Sequence, residues 1–214
     1  MRSIAILGGT FDPIHFGHLR PALELSQKGF DEVRLMPCHV PAHREAPCCS
    51  AEQRLEMVRL AVASEPALSV DAREIDREGE TYTVDTLTQM RDELGDQVSL
   101  NLVMGMDSFR GLHTWHQWEA LPKLANILVT ERPGSTVPLQ GVMANFLGAR
   151  KARNLHELMT SANGRVWVQQ LALLDISATA IRGMVARGES PRYLLPDSVW
   201  DYIKQHRLYR PIEQ

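Results

Sequence analysis

Short apolar runs alternate along this chain with segments whose apolar residues recur at helical spacing, the pattern of a parallel sheet wrapped by helices. Ile4-Ala5-Ile6-Leu7 reads as a buried strand, and Leu19, Ala22, Leu23 and Ser26 as the inner face of a first helix that ends before Gly29. A second strand is predicted over Val33-Arg34-Leu35-Met36-Pro37, followed by a loop rich in Pro, Cys and His over 38–49. Ser50-Ala51-Glu52-Gln53 has the spacing of a capping box, opening a helix that carries Leu55, Val58, Leu60 and Ala61. Strand signals recur at Leu68-Ser69-Val70, Leu100 to Met104, Asn126 to Thr130 and Val166-Trp167-Val168, with a helix near 84–94. The sum is five or six strands in an α/β fold, with no internal repeat. A single domain over 1–214 follows, divided into a sheet core at 1–175 and a small helical C-terminal part at 176–214.

Composition narrows the class. With 214 residues, 44% hydrophobic and 23% charged, the chain has enough apolar material for a full core. A net charge of -3 argues against a nucleic-acid coat. Cys38, Cys48 and Cys49 make a poor disulfide framework, and no leader pattern precedes Ile4, so a cytoplasmic location is expected. No apolar run has membrane-spanning length.

The chemistry concentrates in Gly8-Gly9-Thr10-Phe11-Asp12-Pro13-Ile14-His15-Phe16-Gly17-His18, directly after the first strand. A helix N-terminus presents unpaired N–H groups and partial positive charge, and a glycine turn lets backbone approach them, which makes an anion site. His15 and His18, three apart in the first turn, would share one face. No Lys follows Gly17, which excludes the Walker loop, and the glycine spacing excludes the dinucleotide fingerprint. The turn at Gly105-Met106-Asp107 follows a strand and should face the same crevice, because ligands of open parallel sheets sit at the carboxyl ends of strands. Downstream, Ile176-Ser177-Ala178-Thr179-Ala180-Ile181-Arg182 can open another helix, with Ser177 or Thr179 as cap and Arg182 at the end of its first turn. A bare cap is the other reading of that segment. Cys38, His39, His43, Cys48 and Cys49 also allow a zinc reading, which lacks C-x₂-C spacing.

The first motif resembles the G-[GT]-F-x-P-x-H-x-G-H stretch of the H-x-G-H nucleotidyltransferases. The second resembles the I-S-x-T-x-[IV]-R segment of the nicotinate or nicotinamide mononucleotide adenylyltransferases. Pro41-Ala42-His43-Arg44 resembles the P-P-H-[RK] loop of the bacterial enzymes, Tyr82-Thr83 their [SY]-Y-T, Trp115, followed after two residues by Trp118, their substrate-side tryptophan, and Glu131-Arg132-Pro133-Gly134 their R-R-P-G. Cys38-His39, Ala178 and Glu131 depart from the common pattern.

The resemblance implies a Rossmann-like nucleotidyltransferase fold and transfer of AMP from ATP to nicotinate mononucleotide, with pyrophosphate released. It implies His15, His18 and Arg182 as catalytic residues. ATP would lie on Gly8, Gly9, Thr10, Phe11, His15, His18, Gly105, Asp107, Ile176, Ser177, Thr179 and Arg182, with Asp107 on the ribose hydroxyls. On the acceptor side it implies Trp115 stacked on the pyridine ring, with Tyr82, Thr83, His116 and Arg132 nearby. Thr83 and His116 would meet the ring carboxylate through backbone amides. His43 and Arg44 would take the acceptor's phosphate, a solvated loop being the other reading of that pair. Mg2+ is expected with ATP. The pantetheine-phosphate and cytidylyl branches share only the first motif, and a nucleotide sensor without turnover is the reading from another class. Whether the chain forms a homo-oligomer stays open.

Overall fold

A computed structural model describes residues 1–41, 46–77, 79–131 and 140–210. In chain order the strands and helices are β1 (Arg2–Gly9), α1 (Phe16–Gln27), β2 (Glu32–Pro37), β3 (Val40–Pro41), α2 (Ala51–Val62), β4 (Leu68–Val70), β5 (Glu80–Thr81) and α3 (Thr83–Leu94). There follow β6 (Val98–Gly105), α4 (Met106–Arg110), α5 (Leu121–Leu124), β7 (Asn126–Glu131), α6 (Val142–Arg150), α7 (Leu155–Met159), β8 (Val166–Gln170), α8 (Ala178–Ala186) and α9 (Asp197–Gln205).

Six strands form one sheet in the order β4-β2-β1-β6-β7-β8, with every neighbouring pair parallel. This is the doubly wound order. The chain runs outward from β1 to β4 and then returns to continue from β6 on the other side, so the sheet reverses direction between β1 and β6. In open parallel sheets, ligands bind outside the carboxyl ends of the strands at such a reversal. The strands read as continuous apolar runs because both faces are covered. Side chains alternate across the pleat. Ala5 and Leu7 join a core with Leu25, Val58, Ile181, Val199 and Ile203, whereas Ile4 and Ile6 join one with Leu87, Met90, Phe109 and Leu147. The helices after 176 therefore pack into the same apolar layer as α1 and α2.

The sequence-based faces shift in places. Leu25, with Leu19 and Ala22, is buried on α1, while Leu23 and Ser26 are half-exposed and Ser26 Oγ donates to the Leu23 carbonyl at 2.7 Å. On α2, Met57 and Arg54 are buried and Leu60 and Ala61 flank the contact. The capping box holds: Ser50 Oγ accepts from the Gln53 N–H and Gln53 Oε1 accepts from the Ser50 N–H. The short strands β3 and β5 pair in parallel as a separate two-stranded sheet. No periodicity could announce two-residue strands. Among the described residues, no helix is long and apolar enough to cross a membrane.

Glu74 gives the fold a measurable pH dependence. It is 7% exposed, accepts a 2.7 Å bond from Thr86 Oγ1, and burial pushes its carboxyl from 4.5 up to about 7. Between those values the folded chain holds a proton that the unfolded chain has lost. Stability therefore falls as pH rises through the window, at a cost of up to roughly 3 kcal/mol that is complete above it. Glu74→Gln keeps an acceptor for Thr86 without the charge. It is expected to melt several degrees higher than the parent at pH 8 and alongside it at pH 5; an equal or lower melting temperature at pH 8 would count against this.

Candidate active site

β1 ends at Gly9, and the chain turns immediately. A methyl on Gly9 would come within 2.9 Å of the Phe11 ring, so only glycine allows the buried Phe11 to fold back over the strand end. Phe11 itself has φ 50, and its ring meets His18 edge-on at 5.0 Å. His15 is not inside the helix as its spacing suggested. It is the N-cap of α1, in extended backbone, because its carbonyl already accepts from the N–H groups of His18 and Leu19. The two imidazoles are nonetheless stacked, centroids 3.8 Å apart. A methyl on Gly17 would sit 2.8 Å from the His15 ring and 3.3 Å from the Ile176 carbonyl oxygen. Gly17 thus brings the two motifs, far apart in sequence, into contact.

Ser177 is the N-cap of α8, accepting from the Ala180 N–H at 3.1 Å, and Thr179 lies within the first turn. Neither α1 nor α8 carries an acidic residue in its first turn, so both positive helix ends are left without a carboxylate of their own helix there. Arg182 Nη1 donates to the Asp12 carbonyl at 2.7 Å and Nη2 to Thr179 Oγ1 at 3.4 Å. Asp12 is buried, and its carboxylate accepts from the Cys48 N–H and the Tyr209 hydroxyl, both at 2.7 Å. It joins the phosphate-type turn to the end of the 38–49 loop and to the C-terminal segment.

Electrostatically, His15 is a neutral imidazole. Burial pushes its pKa down to about 4, and Nδ1 has no hydrogen-bond partner. Because the unfolded chain binds that proton between about 4 and 6.5, this group's contribution to stability is lost on acidification through that range.

Gly105 ends β6, and Asp107 lies in the first turn of α4. β6 pairs β1 with Leu7 opposite Val103, which puts the turn after Gly105 beside Gly8 and Gly9. The Asp107 side chain is open to solvent, with Arg110 at 3.2 Å. The β3–β5 pairing draws the start of the 38–49 loop next to Tyr82 and Thr83, the N-cap and first residue of α3. The Tyr82 and His116 rings lie 4.5 Å apart, and Tyr82 and Trp115 both pack partly buried on the core that lies under α3. His43, Arg44 and Arg132 lie outside the described residues. Among the described residues no three His, Cys, Asp or Glu side chains converge as a metal cage. The zinc reading, apart from His43, finds no cluster there.

Three participants escaped the sequence: Asp12 as a hub, Tyr209 as its distant partner and the buried Arg54. The pairing of Asp12 with Tyr209 spans most of the chain, and an arginine on a helix ordinarily reads as surface.

The chain matches the cytidylyltransferase-like family over residues 6–184. It is 48% identical to the probable nicotinate-nucleotide adenylyltransferase of Cellvibrio japonicus, covering 97% of this chain and 99% of that one. Against the probable nicotinate-nucleotide adenylyltransferase of Aeromonas hydrophila it is 47% identical, covering 97% of each. Its fold matches Plasmodium falciparum nicotinic acid mononucleotide adenylyltransferase solved with NaAD, TM-score 0.72 at 18% identity, covering 98% of both chains. With full-length relatives at this identity, the chain belongs to the cytidylyltransferase-like family and, within it, to the nicotinate-nucleotide adenylyltransferases.

Proposed function

We propose that the crevice between β1 and β6 joins ATP to nicotinate mononucleotide, making nicotinate adenine dinucleotide and pyrophosphate. The observation that carries this reading is the meeting of the Gly8–His18 and Ile176–Arg182 segments at Gly17. There the N-terminal ends of α1 and α8 meet, the His15 and His18 imidazoles are stacked, and the Arg182 guanidinium reaches the Asp12 carbonyl and Thr179. An oxygen of the acceptor's phosphate attacks the α-phosphorus of ATP. The bond from that phosphorus to the bridging oxygen of the β-phosphate breaks, and pyrophosphate leaves with the electron pair. The nucleophile is already ionised at neutral pH, so the protein needs no strong base. Its work is to hold two anions in line and to stabilise charge on the transferring and leaving groups.

In this reading His15 and His18 donate hydrogen bonds to ATP phosphates, His15 as a neutral imidazole. Gly8, Gly9, Thr10 and Phe11 supply close backbone, and Ser177, Thr179 and Arg182 clamp the β- and γ-phosphates, with the Ile176 carbonyl fixing the approach. Gly105 leaves room for the nucleoside, and Asp107 accepts from its ribose. Trp115 stacks on the pyridine ring, with Tyr82, Thr83, His116 and Arg132 also on the acceptor, while His43 and Arg44 take the acceptor's phosphate. A divalent cation, Mg2+ here, neutralises triphosphate charge when bound. Such an ion would be held chiefly by phosphate oxygens and water, with few ligands from the chain. The reaction belongs to soluble NAD biosynthesis, and a cytoplasmic site of action fits it.

A single in-line displacement inverts the α-phosphorus. With ATP made chiral at that phosphorus by sulfur substitution, the dinucleotide product is expected with inverted configuration. Retention would mean a covalent adenylyl-enzyme and would overturn direct transfer.

A further inference from the structure

Arg54 is 1% exposed, in the first turns of α2, where the Ser50–Gln53 capping box fixes its direction. Nη1 donates to the Thr10 carbonyl at 2.8 Å and to the Cys38 carbonyl at 2.7 Å, and Nη2 to the His39 carbonyl at 2.6 Å. These partners are three backbone carbonyls, with no carboxylate among them, and Nε has none. Among the described residues Arg54 makes no salt bridge, Glu52 acting on it only at longer range, and a buried guanidinium without a close counter-ion is costly. Such a group persists where something else repays it.

Its three acceptors belong to two different loops. Thr10 follows β1 in the turn assigned to ATP phosphate, whereas Cys38 and His39 follow β2 and begin the segment assigned to the acceptor. In a trans peptide the C=O and the next N–H point in opposite directions. Turning the carbonyls of Thr10 and Cys38 inward onto Arg54 therefore turns the N–H groups of Phe11 and His39 away from it. The Cys38 N–H is itself held by the Gly9 carbonyl at 3.0 Å, so the two loops are stitched together at this point.

We propose that Arg54 is a positioning residue for the transfer: from beneath, it locks the ATP-phosphate turn and the acceptor loop in one register, and its charge is balanced by the substrates' phosphates. This rests on the reaction proposed above. It differs from simple bracing because it requires each substrate's binding to depend on Arg54.

Arg54→Lys keeps the charge but has one nitrogen where the guanidinium has two that reach separate loops. The expected result is a folded variant, shown by circular dichroism and a cooperative melt, whose KM values for ATP and for nicotinate mononucleotide both rise at least fivefold while kcat also falls. Pure bracing would lower the active fraction and leave both KM values at wild type, which would overturn the proposal. If the variant does not fold, amide exchange on the wild-type chain decides. ATP alone should slow exchange across residues 38–40, and unchanged exchange there overturns the coupling. Failure of the wild-type chain to turn over would refute the reaction itself, which separates the two failures.

Discussion

Alanine at position 18 is expected to lower kcat by ~10²–10³, or about 2.7–4 kcal/mol of transition-state stabilisation, while the chain stays folded. His18 sits in the first turn of α1, half-buried, between the edge-on Phe11 ring at 5.0 Å and the stacked His15 ring at 3.8 Å. Removing it takes away one imidazole of the stacked pair and leaves the deeper His15 in place. The stability cost is a lost ring contact of about 1 kcal/mol. His15 is the poorer test of chemistry, because it is buried and its loss would disturb folding and function together. Steady-state kinetics beside thermal melts separate the two. A kcat within twofold of wild type would remove His18 from the mechanism.

Arg182→Met is expected to produce a loss of similar size, ~10²–10³ in kcat/KM, with a raised KM for ATP. Methionine preserves the stem and removes the fork that reaches the Asp12 carbonyl and Thr179. The lost charge-assisted bond costs about 1–2 kcal/mol of stability. Arg182→Lys should recover part of the rate, since a point charge still attracts phosphate but cannot span two groups. Both variants with wild-type KM for ATP and wild-type rate would show that Arg182 only ties α8 to the turn at Asp12.

What the sequence makes legible here depends on the distance over which a physical signal acts. The strand, glycine turn and histidines from Ile4 to His18 are contiguous, so local pattern predicts the strand, the turn and the pairing of the two imidazoles, though not that His15 caps the helix from outside it. Ser50 and Gln53 form a capping box because its two bonds are local. The order β4-β2-β1-β6-β7-β8 is not written in any one segment, although its consequence, the crevice at Gly8 and Gly105, follows once the strands are taken as parallel. Long-range polar contacts leave no local trace. Asp12 meets Tyr209 across the fold, and Arg54 is drawn inward by carbonyls whose orientation exists only after β1 and β2 have paired. The modest shift of the α1 face from Leu23 to Leu25 has the same origin, since the sheet beneath decides which side of the helix is covered.

Joint recognition of two phosphate-bearing substrates in one crevice is the core of the proposed reaction. It is tested most directly by following pyrophosphate release from ATP and Mg2+ with nicotinate mononucleotide or nicotinamide mononucleotide as acceptor. Release that depends on the nicotinate form, with one dinucleotide formed per pyrophosphate, is the predicted result. ATP binding without pyrophosphate release, whichever acceptor is offered, would contradict it.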